Sequence, residues 1–149
     1  MKQSYTPLEK KLNYTFKNKA LLETALTHKT YAFEAEEPID YNERLEFLGD
    51  SILNFVVSKE LYKKNNYFSE GELTRRRAQL VNNVLLAKKA LSFDLGDYIH
   101  LGKGATMQNV EKNKRNLANT LEAIIGAIYI DSNLRTVESF ILKTVLQLR

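Results

Sequence analysis

Residues 42 to 53 read NERLEFLGDSIL and place three carboxylates, Glu43, Glu46 and Asp50, in a stretch that is otherwise largely apolar. Their spacing of three and then four residues stacks all three on one face of an α-helix, within about 60° of one another. Three like charges on one face repel one another, and burial makes each charge more costly. The stretch therefore predicts a helix whose acidic face needs a source of positive charge.

The same predicted helix has apolar side chains nearly all round. The carboxylate side also carries Phe47, Leu53 and Val57, so we expect the helix to be covered on both faces and the acids to be buried. A helical wheel places the main core-facing set opposite the carboxylates, at Leu45, Leu48, Ile52, Phe55 and Val56.

Two kinds of cation can offset these acids, namely Arg or Lys in ion pairs, or a bound metal. Arg44 projects about 100° away from Glu43 around the helix, so it is poorly aimed at the acids. The chain has no Cys and only two His residues, which excludes thiolate and histidine-rich metal sites. A site built from carboxylate oxygens favours Mg²⁺, with Mn²⁺ as a substitute.

A second stretch, NLANTLEAIIGAIYID at residues 116 to 131, repeats the anomaly of an acid in an apolar helix. Asn119 and Glu122 share one helical face, and Gly126 removes a side chain from that face, so another helix can approach closely there. A crossing of the two helices at these faces would assemble four oxygen ligands, from Glu46, Asp50, Asn119 and Glu122.

Each polar residue also has a simpler interpretation as a core side chain with a satisfied hydrogen bond, which is the commoner case for one residue alone. Five such residues at helical spacing in two helices favour a site. His28 is interpreted as a structural hydrogen-bonding residue. Phe47 is by default a core residue, and its position beside the acids also suits a subunit contact.

The whole chain, residues 1 to 149, is predicted to form a single all-α domain. Two Pro and six Gly leave few breaks, and apolar residues recur at helical spacing without sustained strand-like alternation. The start lacks a secretory signal, and no apolar run is long enough to cross a membrane. We therefore expect a soluble cytoplasmic protein with no membrane partner.

Capping signals predict where the helices begin. Thr6 is expected to cap a first helix, with Pro7 at its first position, and Asn18 to cap a second. Ser69 is expected to open a helix that continues through Leu80, Val84 and Leu85. The remaining predictions are a helix over about 41–64, a loop with one short helical turn over 93–108, and helices over about 112–130 and 134–147.

At NERLEFLGDSIL the sequence resembles the ribonuclease III family of Mg²⁺-dependent endonucleases. The stretches ALTHKTY at 25–31, SEGELTRRRAQLVN at 69–82 and ANTLEAIIGAIYID at 118–131 follow in the order of the family. The likeness covers nearly the whole chain as a catalytic domain. It implies an all-α ribonuclease III-type endonuclease fold, a two-fold homodimer and a valley that accepts double-stranded RNA.

The resemblance also implies roles for single residues. Glu46, Asp50 and Glu122 match the metal-binding and catalytic carboxylates, Glu43 and Glu70 match further acids of the cleavage valley, with Glu43 counted in the catalytic set, and Phe47 matches an aromatic residue that plugs a socket in the other subunit. The implied reaction is hydrolysis of a phosphodiester by metal-activated water, in RNA processing, to leave 5′-phosphate and 3′-hydroxyl ends.

Asn119 departs from the pattern, because the family normally has Asp at this position. An amide offers one oxygen and no charge, so a divalent ion should bind more weakly. Three interpretations stay open: an engineered change that traps the enzyme, an active natural variant, or a degenerate nuclease that serves as a double-stranded-RNA-binding or scaffolding dimer.

A second departure is that typical members carry a double-stranded-RNA-binding domain after the nuclease domain, whereas this chain ends with its last predicted helix. RNA affinity is then expected from the basic surface of the dimer, where the mild charge excess of +4 permits a polyanionic partner. The candidate phosphate contacts are Lys63, Lys64, Arg75, Arg76, Arg77, Lys112, Lys114 and Arg115.

Overall fold

The computed structural model describes residues 4–107 and 113–147, and within them the elements are helical. In these two ranges nine α-helices follow one another, with a 3₁₀ turn at Leu95–Tyr98 before α7 and a π-helical turn at Phe140–Val145 after α9. The helices are α1 Thr6–Leu12, α2 Lys19–Ala25, α3 Lys29–Glu34, α4 Glu43–Lys64, α5 Glu70–Leu80, α6 Asn83–Ser92, α7 Lys103–Met107, α8 Lys114–Asp131 and α9 Leu134–Ser139.

Helix α8 forms the centre of the core. Every residue from Leu117 to Ile128 is buried apart from Asn119, and α4, α6 and α2 pack around it. Burial on all sides follows from a sequence that is almost continuously apolar from Leu121 to Ile128. The all-α prediction and the position of this helix are confirmed.

The glycines of α4 and α8 let these two helices cross with their backbones in contact. A methyl group at Gly49 would overlap the carbonyl oxygen of Glu122, and one at Gly126 would overlap the carbonyl oxygen of Leu45. The predicted close approach at Gly126 is therefore confirmed. Gly49 is the matching residue on the other helix, and the sequence analysis did not identify it.

Two of the three predicted helix caps are present. The Asn18 side chain accepts a hydrogen bond from the backbone N–H of Ala20, and the Ser69 hydroxyl accepts one from Glu72. The prediction for Thr6 is wrong, because Thr6 lies inside α1 and the cap position is Tyr5, whose side chain makes no capping bond.

The helix that begins after Ser69 is shorter than predicted. It ends at Leu80, and the side chain of Asn82 caps α6 by accepting a hydrogen bond from the N–H of Leu85. Val84 and Leu85 consequently lie in the first turn of α6, where both are exposed. The sequence analysis predicted one continuous helix because the apolar spacing continues past Asn82, and it overlooked Asn82 as the cap of a new helix.

The predicted core face of α4 is rotated relative to the observed one. Phe55, assigned to the core, is 51 % exposed, whereas Leu53 and Val57, assigned to the carboxylate side, are fully buried or nearly so. The packed face is centred on Gly49, because the closest contact with α8 is there. None of the helices that the structure describes is long and apolar enough to cross a bilayer.

Candidate functional site

Next to the α4–α8 crossing lies a cavity of about 670 Å³ that opens to solvent. The two glycines explain its position, since Glu46 and Asp50 flank Gly49 and Glu122 lies one turn before Gly126. The predicted ligand residues therefore line one cavity, together with Glu43 and residues from other helices. Its lining consists of His28, Lys29, Asn42, Glu43, Glu46, Phe47, Asp50, Arg115, Asn116, Asn119 and Glu122.

Glu122 is the buried acid of this cavity, with 6 % of its surface exposed. Burial is the main cause that raises its pKa to about 8, and a side-chain hydrogen bond with Asp50 and the charge of Asp50 contribute to the increase. At neutral pH the protonated Glu122 carboxyl thus donates to the Asp50 carboxylate. One carboxyl oxygen of Glu122 and one of Asp50, both of which could bind a cation, are thus joined by a hydrogen bond.

Glu46 is half-buried beside this pair. Partial burial raises its pKa, and the charge of Glu43 adds to the increase, while the positive charge of Arg115 opposes it. The acids of the cavity therefore disfavour one another's ionised forms.

The expectation that all the acids are covered is wrong for two of them. Glu43 and Asp50 are exposed, because the acidic face of α4 borders the open cavity, and only Glu122 is buried. The expectation about cations also needs correction. Lys29 Nζ lies 3.7 Å from Glu43 Oε2, so one acid has a lysine partner that the sequence reading did not consider.

His28 has the structural role that was predicted for it. Its Nδ1 accepts a hydrogen bond from the backbone N–H of Thr30 at 3.2 Å and so caps α3. Burial lowers the pKa of His28, which keeps the ring neutral. The residue lines the cavity and holds Lys29, the next residue, at its edge.

The donor set suits a hard divalent ion, since it offers carboxylate and amide oxygens and no sulfur. The buried carboxyl with a strongly raised pKa is a second sign, because a cation would replace the proton it holds. In the described part of the chain, however, no three His, Cys, Asp or Glu side chains stand close enough together to enclose an ion.

The model of the ribonuclease-III-like family matches residues 18–148, which is most of the chain and includes every residue of the cavity. The chain belongs to the ribonuclease III family.

Curated relatives in this family are similar along nearly the whole chain. A protein named Ribonuclease 3 from Buchnera aphidicola subsp. Acyrthosiphon pisum is 48 % identical over 136 residues, which are 91 % of this chain and 58 % of that protein. Ribonuclease 3 from Pseudomonas entomophila is 47 % identical over 142 residues, covering 95 % of this chain and 59 % of the relative. The chain thus spans less than two thirds of the length of these relatives.

Solved structures agree with the fold. The nuclease domain of ribonuclease III from Campylobacter jejuni superimposes with a TM-score of 0.88 at 38 % identity, covering 95 % of this chain and 96 % of that domain, and it has structural flexibility in a region involved in dimer formation. Dicer from Pichia stipitis matches with a TM-score of 0.63 at 30 % identity over 88 % of this chain and 54 % of that protein.

The predicted RNA-binding arginines of α5 already have partners within the chain. Arg75 and Arg76 both pair with Glu72, at 2.6 and 3.0 Å, and Arg76 also stacks over the Phe68 ring. Arg77 donates a hydrogen bond to the Ser58 hydroxyl at 2.8 Å. Arg75 is exposed, whereas Arg76 and Arg77 are half-buried.

The predicted RNA-binding lysines are spread over the molecule. Lys63 and Lys64 line a separate cavity of about 840 Å³ near the end of α4, about 25 Å along the helix from Glu46. Lys114 is exposed at the start of α8, and Arg115 lines the acidic cavity. Lys112 lies outside the described residues. Among the described members of this group, the structure brings only Arg115 to the carboxylates.

Two further predicted site residues, Glu70 and Phe47, do not join the cluster of four acids in the cavity. Glu70 lines a pocket of about 280 Å³ between α4 and α5 and does not reach the acidic cavity within this chain. Phe47 lies at the edge of that cavity with 77 % of its surface exposed, which is unusual for so large an apolar side chain. Its interpretation as a core residue is wrong, and the interpretation as a subunit contact remains a prediction.

Four residues at the site were missed by the sequence analysis, among them Asn42, which is buried at the N-cap of α4 and lines the cavity. Gly49 carries the same signal as Gly126, a glycine next to acids on an apolar helix. Lys29 adjoins His28 in the ALTHKTY stretch, and Asn116 lies one turn before Thr120 on α8. Only Gly49 had a sequence signal strong enough to be found.

Proposed function

We propose that this chain is the nuclease domain of a Mg²⁺-dependent enzyme that hydrolyses phosphodiester bonds of double-stranded RNA. The products would carry 5′-phosphate and 3′-hydroxyl ends, and the role would lie in RNA processing. The observation that supports this most is the meeting of the buried Glu122 with Asp50 and Glu46 in an open cavity at the glycine crossing. Membership of the family supports the same reaction class.

In this proposal Mg²⁺, with Mn²⁺ as a substitute, would supply a Lewis acid and lower the pKa of a bound water. Glu46, Asp50, Glu122 and the amide oxygen of Asn119 would hold it. The proton that Glu122 holds at neutral pH must leave before its carboxylate can act as a ligand. Because Gly49 and Gly126 lock the two helices together, the carboxylates stay in register for this role.

The proposed active form is a homodimer in which Phe47 contacts the partner subunit. An apolar side chain that is 77 % exposed loses unfavourable hydration when a partner covers it. Glu70, which does not reach the acidic cavity of its own chain, would join the acidic valley only in such an assembly.

A second function is favoured by Asn119, which lines the cavity without adding charge. In this alternative the protein is a catalytically silent dimer that binds duplex RNA or acts as a scaffold. It predicts salt-sensitive RNA binding with no cleavage at any metal concentration.

A paired cleavage assay separates the two functions. The natural chain and its Asn119→Asp variant are incubated with a labelled RNA duplex across a Mg²⁺ series, and the ends of any products are tested for a 5′-phosphate. The nuclease proposal expects cleavage by the natural chain, and cleavage at a lower Mg²⁺ concentration by the Asn119→Asp variant, whose new carboxylate adds a charge. Absence of cleavage by both proteins would contradict it, whereas cleavage only after Asn119→Asp would support the silent dimer.

A further inference from the structure

The cavity contains two cations in addition to its four carboxyl groups. Lys29 reaches it from the first turn of α3, and Arg115 reaches it from the first turn of α8. The Lys29 ammonium lies 3.7 Å from Glu43, and the positive charge of Arg115 acts on Glu46. The cavity thus has mixed charge although its sequence signature is acidic.

We infer that Lys29 and Arg115 are positioning residues that contact the non-bridging oxygens of a substrate phosphate as it enters this cavity. The inference rests on the proposed function, since it concerns the same site and the same substrate. It assigns a role to Lys29 and places the phosphate contact of Arg115 beside the carboxylates.

The charge of the substrate is the first argument. Each phosphodiester of RNA carries a negative charge, and the carboxylates of Glu43, Glu46 and Asp50 that line the cavity repel it. Cations at the edge of the cavity offset the repulsion along the path of approach.

The weakness of the existing ion pair is the second argument. The side chains of Lys29 and Glu43 are 51 % and 50 % exposed, and an ion pair that is so hydrated contributes little to stability. Exchanging Glu43 for a phosphate oxygen therefore costs little. Arg115 is exposed as well, and its planar guanidinium can donate two parallel hydrogen bonds to a phosphate.

Most of the other predicted RNA-binding residues already have a partner within the chain or lie far from the acidic cavity. Arg75 and Arg76 share Glu72, and Lys63 and Lys64 lie at the opposite end of α4. Among the described residues that line the acidic cavity, Lys29 and Arg115 are the two that carry a positive charge at every physiological pH. They are thus placed to bind the phosphate at which hydrolysis would occur.

The test is the salt dependence of binding to a short RNA duplex at neutral pH without divalent ions, so that no cleavage intervenes. Each phosphate contact contributes roughly 0.7 to 0.9 to the slope of log affinity against log salt. We expect Lys29→Ala and Arg115→Ala each to reduce the slope by about that amount. Lys29→Arg and Arg115→Lys, which keep the charge, should retain it. Lys88→Ala is the matched control, because Lys88 is exposed on α6 outside the cavity.

The outcomes distinguish this inference from the function on which it rests. If the natural chain binds no duplex at any salt concentration, the proposed function fails and the inference fails with it. If the natural chain binds, and Lys29→Ala and Arg115→Ala have the same slope as the natural chain, the inference alone is wrong. Thermal unfolding of each variant checks that the loss of slope does not come from loss of fold.

Discussion

The two sides of α4 differ in how completely the chain itself covers them. One side packs on α8 with backbone against backbone at Gly49, and Leu53, Val56 and Val57 are buried there. The other side carries Phe47, Phe55 and Tyr62, which are 77 %, 51 % and 72 % exposed. A side that packs this tightly fixes the positions of its acids, whereas an exposed aromatic side is typical of a surface that another molecule covers.

The neighbours of α4 show the same contrast. Helix α8 has an almost unbroken run of buried residues, whereas α5 has none and relies on its cap and on the pairs that Glu72 makes with Arg75 and Arg76. We therefore expect changes on the α8 side to affect the stability of the whole fold. Changes on the α5 side should affect association or local order.

The largest loss of stability is expected from Gly49→Ala, which disrupts the close packing of α4 on α8. The added methyl group meets the Glu122 carbonyl oxygen, which belongs to a buried helix and cannot move aside. Overpacking of this kind costs about 3 kcal/mol. Urea denaturation measures it, with Gly71→Ala as the matched control: a methyl group there meets nothing closer than 3.9 Å, and α5 should gain about 0.5–1 kcal/mol. Similar behaviour of the two variants would contradict the close crossing.

The next effect concerns the exposed side. Phe47→Ala should weaken self-association by about 2 kcal/mol, or roughly 30-fold in the dimer dissociation constant, because a large aromatic anchor is lost. Sedimentation at several concentrations measures this. Phe33, on α3 and 70 % exposed, provides the control variant Phe33→Ala. Equal weakening by both changes would remove the case for Phe47 as a specific contact.

The pH dependence of stability tests the burial of Glu122 at the α4–α8 crossing. The pKa of Glu122 is raised from 4.5 to about 8, so the folded metal-free protein binds a proton that the unfolded chain releases. Its stabilising contribution is complete below about pH 4.5 and is lost as the pH rises through about 8. The slope within this window is at most about 1.4 kcal/mol per pH unit.

Glu122→Gln, which cannot titrate, should remove this part of the pH dependence. Urea denaturation between pH 5 and 9 in a chelator provides the comparison. Parallel curves for the natural chain and Glu122→Gln would show that Glu122 ionises at its ordinary pKa, against the geometry of the pair with Asp50.

The smallest effect is expected from the caps. Ser69→Ala removes the acceptor for the N–H of Glu72 and should cost about 1 kcal/mol. Because α5 has no buried residue, this loss should accelerate amide hydrogen exchange in α5 and change global unfolding little. Asn113→Ala, at the cap of the buried α8, should instead lower global stability by a similar amount. Exchange data that show the same local pattern for both variants would contradict the comparison.

The sequence allowed most of the helices and the close approach of α4 and α8 to be predicted, because capping residues and helical spacing are local signals. Asn18, Ser69 and Gly126 each behave as their local pattern indicates. The rotation of the α4 core face was not predictable in this way. The rotation depends on the tertiary contact between Gly49 and α8, and the amphipathic pattern of α4 alone does not reveal this contact.

The partners of charged residues were the other gap. Spacing along α4 shows that Arg44 is poorly aimed at the acids, but it says nothing of Lys29, which comes from a different helix. The three consecutive arginines of α5 are typical of a basic surface, but in the fold Arg75 and Arg76 pair with Glu72, and Arg77 donates a hydrogen bond to Ser58. A cluster of charged residues in a sequence shows how many charges lie close together along the chain. Only the fold shows which of these charges already have partners.

The central claim is that Glu46, Asp50, Asn119 and Glu122 form one site for a divalent ion, and a calorimetric titration of Mn²⁺ into the metal-free chain tests it most directly. We predict saturable binding by the natural chain, binding weaker by roughly tenfold or more in Glu122→Gln, and tighter binding in Asn119→Asp, because affinity follows the charge of the ligands. Equal affinities in all three proteins, or no saturable binding even after Asn119→Asp, would contradict the claim.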